Sequence, residues 1–229
     1  MAIILNIDTS SPICSVCLAE DGNMVAERID LTENRHASML TILIDEVMQD
    51  CNMKISDLSA VALSSGPGSY TGLRISTSVA KGICYGAGIP LISVSTLRGL
   101  AYAMSISHPV GDSIYVPMLD ARRQDVYWGI YDKEGGVIKK DNFATIDENF
   151  LPLVASYNVK NVYFGGSGAT KMKTMCLNME FGTVIENLIC KAENISSISY
   201  KQYLSSIYEN TTYFEPNYLK EFEGRMKSS

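Results

Sequence analysis

The order of the predicted secondary-structure elements occurs twice along the chain, and this duplication constrains the fold more than any other feature. In the first half the hydrophobic pattern predicts three strands, a helix, a strand and a helix, at residues 2–8, 13–19, 24–30, 36–51, 58–65 and 71–88. A strand at 89–95 and a helix at 96–104 close this half. After a break at residues 106–112 the order begins again, with elements at 113–121, 125–132, 137–146, about 147–156, 161–166 and from Ala169.

Doubling of a β-β-β-α-β-α unit resembles the plan of the actin, Hsp70 and sugar-kinase superfold, which is built from two ribonuclease H-like lobes. The 229 residues, 46% of them hydrophobic, are enough for two small lobes with packed cores. We therefore expect a two-lobed α/β protein with a first lobe at 1–105 and a second lobe at 106–207. A C-terminal segment, about 208–229, is expected to pack back on the first lobe.

The charge balance argues against a chain that binds nucleic acid on its own. The net charge is −6, and the densest basic clusters are only Arg122–Arg123 and Lys139–Lys140, whereas basic side chains supply most of the affinity for phosphates.

No apolar run approaches the roughly 18 residues of a membrane span. The opening MAIILNIDTSS lacks a basic leader and is interrupted by Asn6 and Asp8, which argues against a signal peptide. We expect a cytoplasmic protein with no membrane contact.

The six cysteines include one CxxC pair, Cys14 and Cys17. The pair lies in a predicted strand, where residues three apart point to opposite faces and cannot share a disulfide or a metal ion. No second CxxC completes a zinc site. We therefore expect these thiols to pack in the core, and the absence of a disulfide framework fits a reducing compartment.

The segment SSGPGSYTGLRISTSVAKG, residues 64–82, resembles a phosphate-binding loop that opens a helix. A P-loop requires Lys and then Ser or Thr after its last glycine, but Leu73 and Arg74 stand there. We expect a sharp turn into a helix, with Ser69 or Thr71 as its N-cap. A bound anion at this loop is the alternative.

Weak signals for a nucleotide lie at the ends of the predicted strands. In the superfold, nucleotide phosphates sit between the lobes against an acidic turn. The matching residues here are Asp8, Thr9 and Ser10 in the first half and Asp120 and Arg122 in the second. Neither turn has the usual glycine, so the alternative is that both aspartates cap turns. The Gly-Gly turn in FGGSGA would lie against an adenosine, which adds the residues Gly165, Gly166 and Gly168.

Catalytic and metal-binding patterns are weak. FGGSGA nearly matches a G-x-S-x-G nucleophile elbow, but His36 and His108 both precede Ser167, whereas in that family the histidine follows the serine. No His-x-x-x-His ligand pair occurs. We therefore predict no catalytic residue, no metal site and no cofactor of the chain's own.

Several motifs together resemble the bacterial TsaB (YeaZ) family. They are ILNIDTSS, GPGSYTGLRIS, VAKGI, PLISVSTL and LDARRQDVYWGIYD, all within residues 1–132, with weaker matches in FGGSGA and PNYLK. The helix after His36 departs from the family pattern, because HASMLTI lacks the usual Glu and Pro.

The resemblance implies a non-catalytic scaffold for making threonylcarbamoyladenosine at position 37 of tRNAs that read codons beginning with A. It implies pairing with TsaD, which holds the metal-binding histidines and performs the transfer, and binding of the pair by the ATPase TsaE. The tRNA would be met only through the complex, ATP or ADP would lie at the interface with TsaD, and the chain would form a homodimer when TsaD is absent. The alternatives are an ATP-dependent kinase or transferase using its own cleft, and a glycoprotease-type peptidase.

The helix at residues 37–51 is the predicted partner surface. Its apolar arc is roughly 180° wide, beyond the ~100° that a one-sided surface helix requires, although deep burial in its own lobe is the alternative. Ile42 lies outside this arc and Met39 at its edge. Together with the following helix, whose small residues allow close approach, the predicted interface comprises Met39, Ile42, Leu43, Glu46, Arg74, Thr77, Ser78 and Lys81.

Overall fold

The structure is a computed structural model that describes residues 1–33, 35–176 and 182–219. The first half of the chain contains the strands β1 (Ile3–Asp8), β2 (Cys14–Glu20), β3 (Asn23–Asp30), β4 (Ala60–Ser64) and β5 (Leu91–Val94). Its helices are α1 (His36–Asp50), α2 (Tyr70–Ala87) and α3 (Thr96–Ser107), with a 3-10 turn at Ile55–Asp57. The five strands form one mixed sheet in the order β3-β2-β1-β4-β5.

The second half repeats this plan. Its strands are β6 (Ser113–Asp120), β7 (Asp125–Tyr131), β8 (Val137–Thr145), β9 (Asn161–Gly165) and β10 (Gly182–Ile185). Its helices are α4 (Phe150–Ala155), a 3-10 turn at Ala169–Met172, α5 (Lys173–Cys176) and α6 (Glu193–Leu204). The sheet order is β10-β9-β6-β7-β8. Its central strand β6 is antiparallel to β7 and parallel to β9, just as β1 in the first sheet is antiparallel to β2 and parallel to β4. The predicted two-lobed fold is confirmed.

Helices cover both faces of the first sheet, which is why β1 is buried along its whole length. On one face, α1 turns Leu40, Ile44 and Val47 toward the sheet and lies beside α2. On the other face, Ile195 and Ile198 of α6 pack in a cluster with side chains of β1, β4 and β5. Cys14 and Cys17 are free thiols buried in different clusters, as predicted for opposite faces of a strand.

The last helix of each half packs against the sheet of the other half. Leu97, Leu100 and Met104 of α3 pack in a cluster with side chains of the second sheet, while α6 packs against the first sheet. The predicted lobe limits remain a prediction, but they assign α6 to the second lobe, whereas its apolar side chains are covered by the first. The serine-rich, weakly periodic sequence ENISSISYKQYL gave no helix prediction for α6.

The described part of the C-terminal segment runs along the first lobe. Glu209 forms an isolated antiparallel bridge with Leu91, and the amide of Asn217 donates to the carbonyl oxygen of Ser65 at 2.7 Å. The rest of the predicted segment, residues 220–229, lies outside the described residues. Within the described ranges, no helix is long and apolar enough to span a bilayer.

A half-buried carboxyl group ties the two halves together. Asp141 of β8 accepts hydrogen bonds from the hydroxyl groups of Tyr131 and of Ser95, the N-cap residue of α3. Nearby, Arg98 Nε donates to the carbonyl oxygen of Gly135 at 2.8 Å. Burial raises the pKa of Asp141, and the two hydroxyl donors lower it by less.

This raised pKa predicts a pH dependence of stability. Because the folded state favours the protonated carboxyl, the stabilisation is fully present below the ordinary pKa of 3.8 and is lost as the pH rises through the raised value. The uncharged variant Asp141→Asn lacks this loss. We expect the free energy of unfolding of the variant to increase relative to that of wild type between about pH 4 and neutrality. Urea unfolding of both proteins across that range measures the difference, and a pH-independent difference contradicts the assignment.

Candidate functional site

A cleft of about 820 Å³ lies between the lobes. Its walls come from the turns after β1 and β6, the loop before α2, and the C-terminal segment. In open α/β proteins, ligands bind at the carboxyl ends of the strands. The cleft is therefore the first place to test the residues that the sequence singled out.

Asp8 does not line this cleft but lies buried at the end of β1. One carboxylate oxygen accepts hydrogen bonds from the amide (2.9 Å) and hydroxyl (2.8 Å) of Ser10. The other accepts a hydrogen bond from the Ser64 hydroxyl at 2.5 Å. Burial raises the pKa of Asp8, although these donors and the nearby His36 lower it in part. Its carboxylate thus caps the turn after β1, the role that the sequence left as the alternative.

Asp120 occupies the equivalent position after β6 and does line the cleft. Its carboxylate accepts hydrogen bonds from Lys171 Nζ at 2.6 Å and from the amide of Arg122 at 2.8 Å. Burial raises the pKa of Asp120, but the hydrogen bond and charge of Lys171 and the Arg122 amide outweigh it and hold the pKa below its ordinary value. Asp120 is therefore an ionised, paired carboxylate, and the hydroxyl of Ser167 accepts a hydrogen bond from its amide at 3.0 Å.

The remaining residues of the nucleotide prediction contact the protein itself. Thr9 donates its hydroxyl proton to the carbonyl oxygen of Gly72 at 2.8 Å. Gly166 has a φ of +99°, and a Cβ there would lie 2.5 Å from the carbonyl oxygen of Met118. A Cβ at Gly168 would likewise lie 2.9 Å from the backbone carbonyl carbon of Leu119, whereas one at Gly165 would meet only the movable ends of side chains, the nearest being Met104 at 2.9 Å. The structure thus brings Asp120 and Ser167 to the cleft and accounts for Gly166 and Gly168 by packing.

The loop before α2 is a tight junction between the first strand and this helix. The Ser69 side chain accepts a hydrogen bond from the Gly72 amide at 3.2 Å, which confirms the predicted N-cap. A Cβ at Gly68 would lie 2.3 Å from the carbonyl oxygen of Ser10, and one at Gly72 would lie 2.1 Å from that of Thr9. The glycines therefore allow the loop to pack on the turn that Asp8 caps.

Arg122 and Arg123 follow Asp120 at the cleft wall, and both have left-handed backbone conformations, with φ of 73° and 50°. Such conformations cost non-glycine residues energy. The sequence singled out this pair as a basic cluster and Arg122 as part of the second acidic turn. It did not predict Lys171, which is distant in sequence and reaches Asp120 only through the fold.

Neither histidine is arranged as part of a metal or nucleophile site. His36 is buried, and its Nε2 lies 2.9 Å from the carbonyl oxygen of Ser11 and 3.0 Å from that of Ile13. His108 contacts Ser107 and the ring of Tyr163. Among the described residues, no group of three or more His, Cys, Asp or Glu side chains is placed to hold a metal ion.

The predicted partner helices lie side by side on the outside of the first lobe. Ile42 is 46% exposed, and Glu46, Arg74 and Ser78 are also exposed. Met39 is half-buried against the core. Lys81 is also half-buried, and its Nζ donates to the backbone of the C-terminal segment.

Two residues of the predicted interface are buried instead. Leu43 is 4% exposed and Thr77 is 7% exposed. Leu43 belongs to the arc of α1 that packs on the sheet, and Thr77 lies on the inner side of α2 beside Ser76. A partner cannot reach either side chain without rearrangement, so we leave both out of the proposed surface.

Comparison with known proteins agrees with this architecture. A family model described as TsaD: tRNA N6-adenosine threonylcarbamoyltransferase matches residues 25–220. The chain is 34% identical over 137 residues to the tRNA threonylcarbamoyladenosine biosynthesis protein TsaB of Bacillus subtilis, covering 60% of this chain and 58% of that protein. For TsaB of Escherichia coli the identity is 34% over 131 residues, covering 57% and 55%. The matches therefore span little more than half the length of these curated relatives.

The structural comparison extends over nearly the whole chain. YeaZ from Pseudomonas aeruginosa superposes with a TM-score of 0.80 at 24% identity, covering 96% of this chain and 100% of that one. Duplicated sheets around a central cleft define a two-lobed α/β protein of the actin, Hsp70 and sugar-kinase superfold. The chain belongs to the family that the matching model describes.

Proposed function

We propose that this chain is a non-catalytic subunit of the machinery that forms N6-threonylcarbamoyladenosine at position 37 of tRNAs reading codons that begin with A. Its relatives from Bacillus subtilis and Escherichia coli carry the name of that biosynthesis. In this proposal the chain acts in the cytoplasm by pairing with TsaD. TsaE joins the pair, tRNA is met only through the complex, and the chain pairs with itself when TsaD is absent.

The observation that carries the proposal is the outer face of α1 and α2. Ile42 exposes almost half of its apolar side chain there. On α2, Gly82 and Gly86 are one turn apart, and a Cβ at either would meet nothing within 4 Å. Exposed glycines within a helix cost roughly 1 kcal/mol each relative to alanine. Their placement allows the backbone of another helix to approach closely, so this face suits a helical partner of the same fold.

The proposed contact residues are the accessible members of the predicted set, namely Met39, Ile42, Glu46, Arg74, Ser78 and Lys81. They lie on adjacent helices, so a partner presenting two helices would form a four-helix contact. Nucleotide, in this proposal, lies at the interface with TsaD rather than as a cofactor of this chain.

The cleft supports a second candidate, an ATP-dependent transferase or kinase. Its volume of about 820 Å³ and the ionised Asp120 favour this activity. The internal bonding of Asp8 and the packing of the FGGSGA glycines favour the scaffold instead. ATP turnover by the purified chain, without TsaD and TsaE, would support the enzyme.

Ser167→Ala and His36→Ala test whether the chain contributes an acid, a base or a nucleophile. The Ser167 hydroxyl accepts a hydrogen bond from an amide, and His36 lies against two backbone carbonyl groups. We therefore expect each variant to support tRNA modification at nearly the wild-type rate in a reconstituted system, after correction for the folded fraction. A loss of about a hundredfold, the usual size for a lost acid–base group, would contradict the non-catalytic role.

A further inference from the structure

Arg74 on α2 is held in place by two tyrosines. Its Nε donates a hydrogen bond to the Tyr218 hydroxyl at 3.2 Å. Its guanidinium carbon lies 4.4 Å from the ring centroid of Tyr70 and 6.0 Å from that of Tyr218, and these rings lie 4.9 Å apart. The guanidinium is therefore fixed by a hydrogen bond and by cation–π attraction.

The charge of Arg74 has no carboxylate partner among the residues that the structure describes. The ion pairs of this part of the chain involve other cations. The charge of Glu215 is the smallest of several influences on the pKa of Arg74, and Glu215 forms no ion pair with Arg74. Only the Nε donor is hydrogen-bonded within the described chain. Arg74 is exposed, so its terminal N–H groups are accessible from outside.

Tyr218 is positioned by the C-terminal strap, which we define as residues 209–219. The amide of Glu209 donates to the carbonyl oxygen of Leu91 at 2.8 Å, and that of Asn217 donates to Ser65 at 2.7 Å. Between these points, Lys81 Nζ donates to carbonyl oxygens of the strap at 3.0 and 3.2 Å. The strap is thus fixed to the first lobe on both sides of its middle, and Tyr218 reaches Arg74 from its end.

We propose that Tyr70 and Tyr218 pre-organise Arg74 as an anchor for a carboxylate of the protein that docks on α1 and α2. A guanidinium presents a planar fork that matches a carboxylate with two parallel hydrogen bonds. Fixing a long side chain before association removes an entropic cost of binding. Arginine and tyrosine are also the residue types that most often dominate interface energies. The identity of the partner as TsaD rests on the proposed function.

The charges around Arg74 favour a single carboxylate over the phosphates of an RNA. The chain has a net charge of −6, and the adjacent α1 carries the exposed acidic residues Asp45, Glu46 and Asp50. Lys81, the next cation along α2 and about two turns away, is engaged with the strap. Glu46 and Asp50 are paired with Arg28. Beside Arg74 a polyanion would therefore meet these occupied charges and Asp45, whereas one acidic side chain needs only the guanidinium.

The test is the affinity of the full chain for TsaD, measured by titration calorimetry at two salt concentrations. We expect Arg74→Ala and the charge-preserving Arg74→Lys to weaken binding, the former by about tenfold or more. Tyr218→Ala should weaken binding by a smaller factor, and it should have no further effect when combined with Arg74→Ala. Added salt should weaken the wild type more than Arg74→Ala.

Lys201→Ala is the matched control, because Lys201 of α6 forms a cation–π contact with Tyr102 of α3 and α6 packs on the opposite face of the first sheet. We expect its affinity to equal that of wild type. Amide exchange at Asn217 shows whether each variant keeps the strap closed.

Unchanged affinity of Arg74→Ala, or strictly additive losses for Arg74 and Tyr218, would overturn the anchor while leaving the proposed function intact. If the chain binds tRNA in the absence of TsaD, and this binding depends on Arg74, then Arg74 is a phosphate-binding site and not an anchor for a carboxylate. A wild-type chain that does not bind TsaD would overturn both proposals.

Discussion

Replacement of Ile42 by glutamate is expected to abolish co-elution with TsaD while leaving the isolated chain folded. Ile42 is 46% exposed on the outer face of α1, so a carboxylate there stays hydrated in the free protein. Substitutions at such positions usually change stability by no more than about 0.5 kcal/mol. In the complex the carboxylate would lose its hydration without a partner, at an effective cost of several kcal/mol. Thermal unfolding of the variant and its co-elution with TsaD measure the two effects.

Leu204→Glu provides the matched control for this experiment. Leu204 is 64% exposed at the end of α6, away from the proposed surface, and its replacement should change neither stability nor co-elution appreciably. If Ile42→Glu unfolds far more easily than wild type, α1 is simply a core helix, the alternative that the sequence left open. If it stays folded and binds TsaD normally, the contact lies on another face.

Gly72→Ala is expected to cost about 3 kcal/mol or more of stability, at or above the upper end of the usual range for overpacking. The new Cβ would lie 2.1 Å from the carbonyl oxygen of Thr9. The backbone fixes the position of the Cβ, and the oxygen is itself a backbone atom, so neither can move without displacing the turn after β1 or the start of α2. Urea unfolding of the isolated variant measures the loss.

The same substitution on the outer side of α2 should have the opposite sign. A Cβ at Gly82 meets nothing within 4 Å, so Gly82→Ala should stabilise the isolated chain by up to about 1 kcal/mol through helix propensity. Equal effects of the two substitutions would show that the junction between α2 and the turn after β1 is less tightly packed than described.

The duplicated fold was predictable because each half contains enough strongly patterned segments. Strands such as β1 are short apolar runs, and the helix α1 has a clear helical period. The pattern failed for β10, a four-residue strand, and for α6, whose serines and asparagine weaken the period. It also began α4 three residues early and did not show that a 3-10 turn precedes α5.

The site was harder to predict because its contacts join residues distant in sequence. Asp8 and Asp120 look equivalent at the ends of β1 and β6, yet one is buried under Ser10 and Ser64 and the other is paired with Lys171. The predicted partner surface includes Leu43 because the apolar arc of α1 is wider than a one-sided helix requires, but the width of an arc does not show how much of it the sheet covers. Nothing local in PNYLK indicates that Tyr218 contacts Arg74, 144 residues earlier.

The most direct test of the central claim is the formation of threonylcarbamoyladenosine on tRNA by purified TsaD and TsaE, with and without this chain. The account predicts that modification requires the chain, increases until the chain and TsaD are equimolar, and is restored by Ser167→Ala but not by Ile42→Glu. Modification at the same rate without the chain, or full restoration by Ile42→Glu, would contradict it.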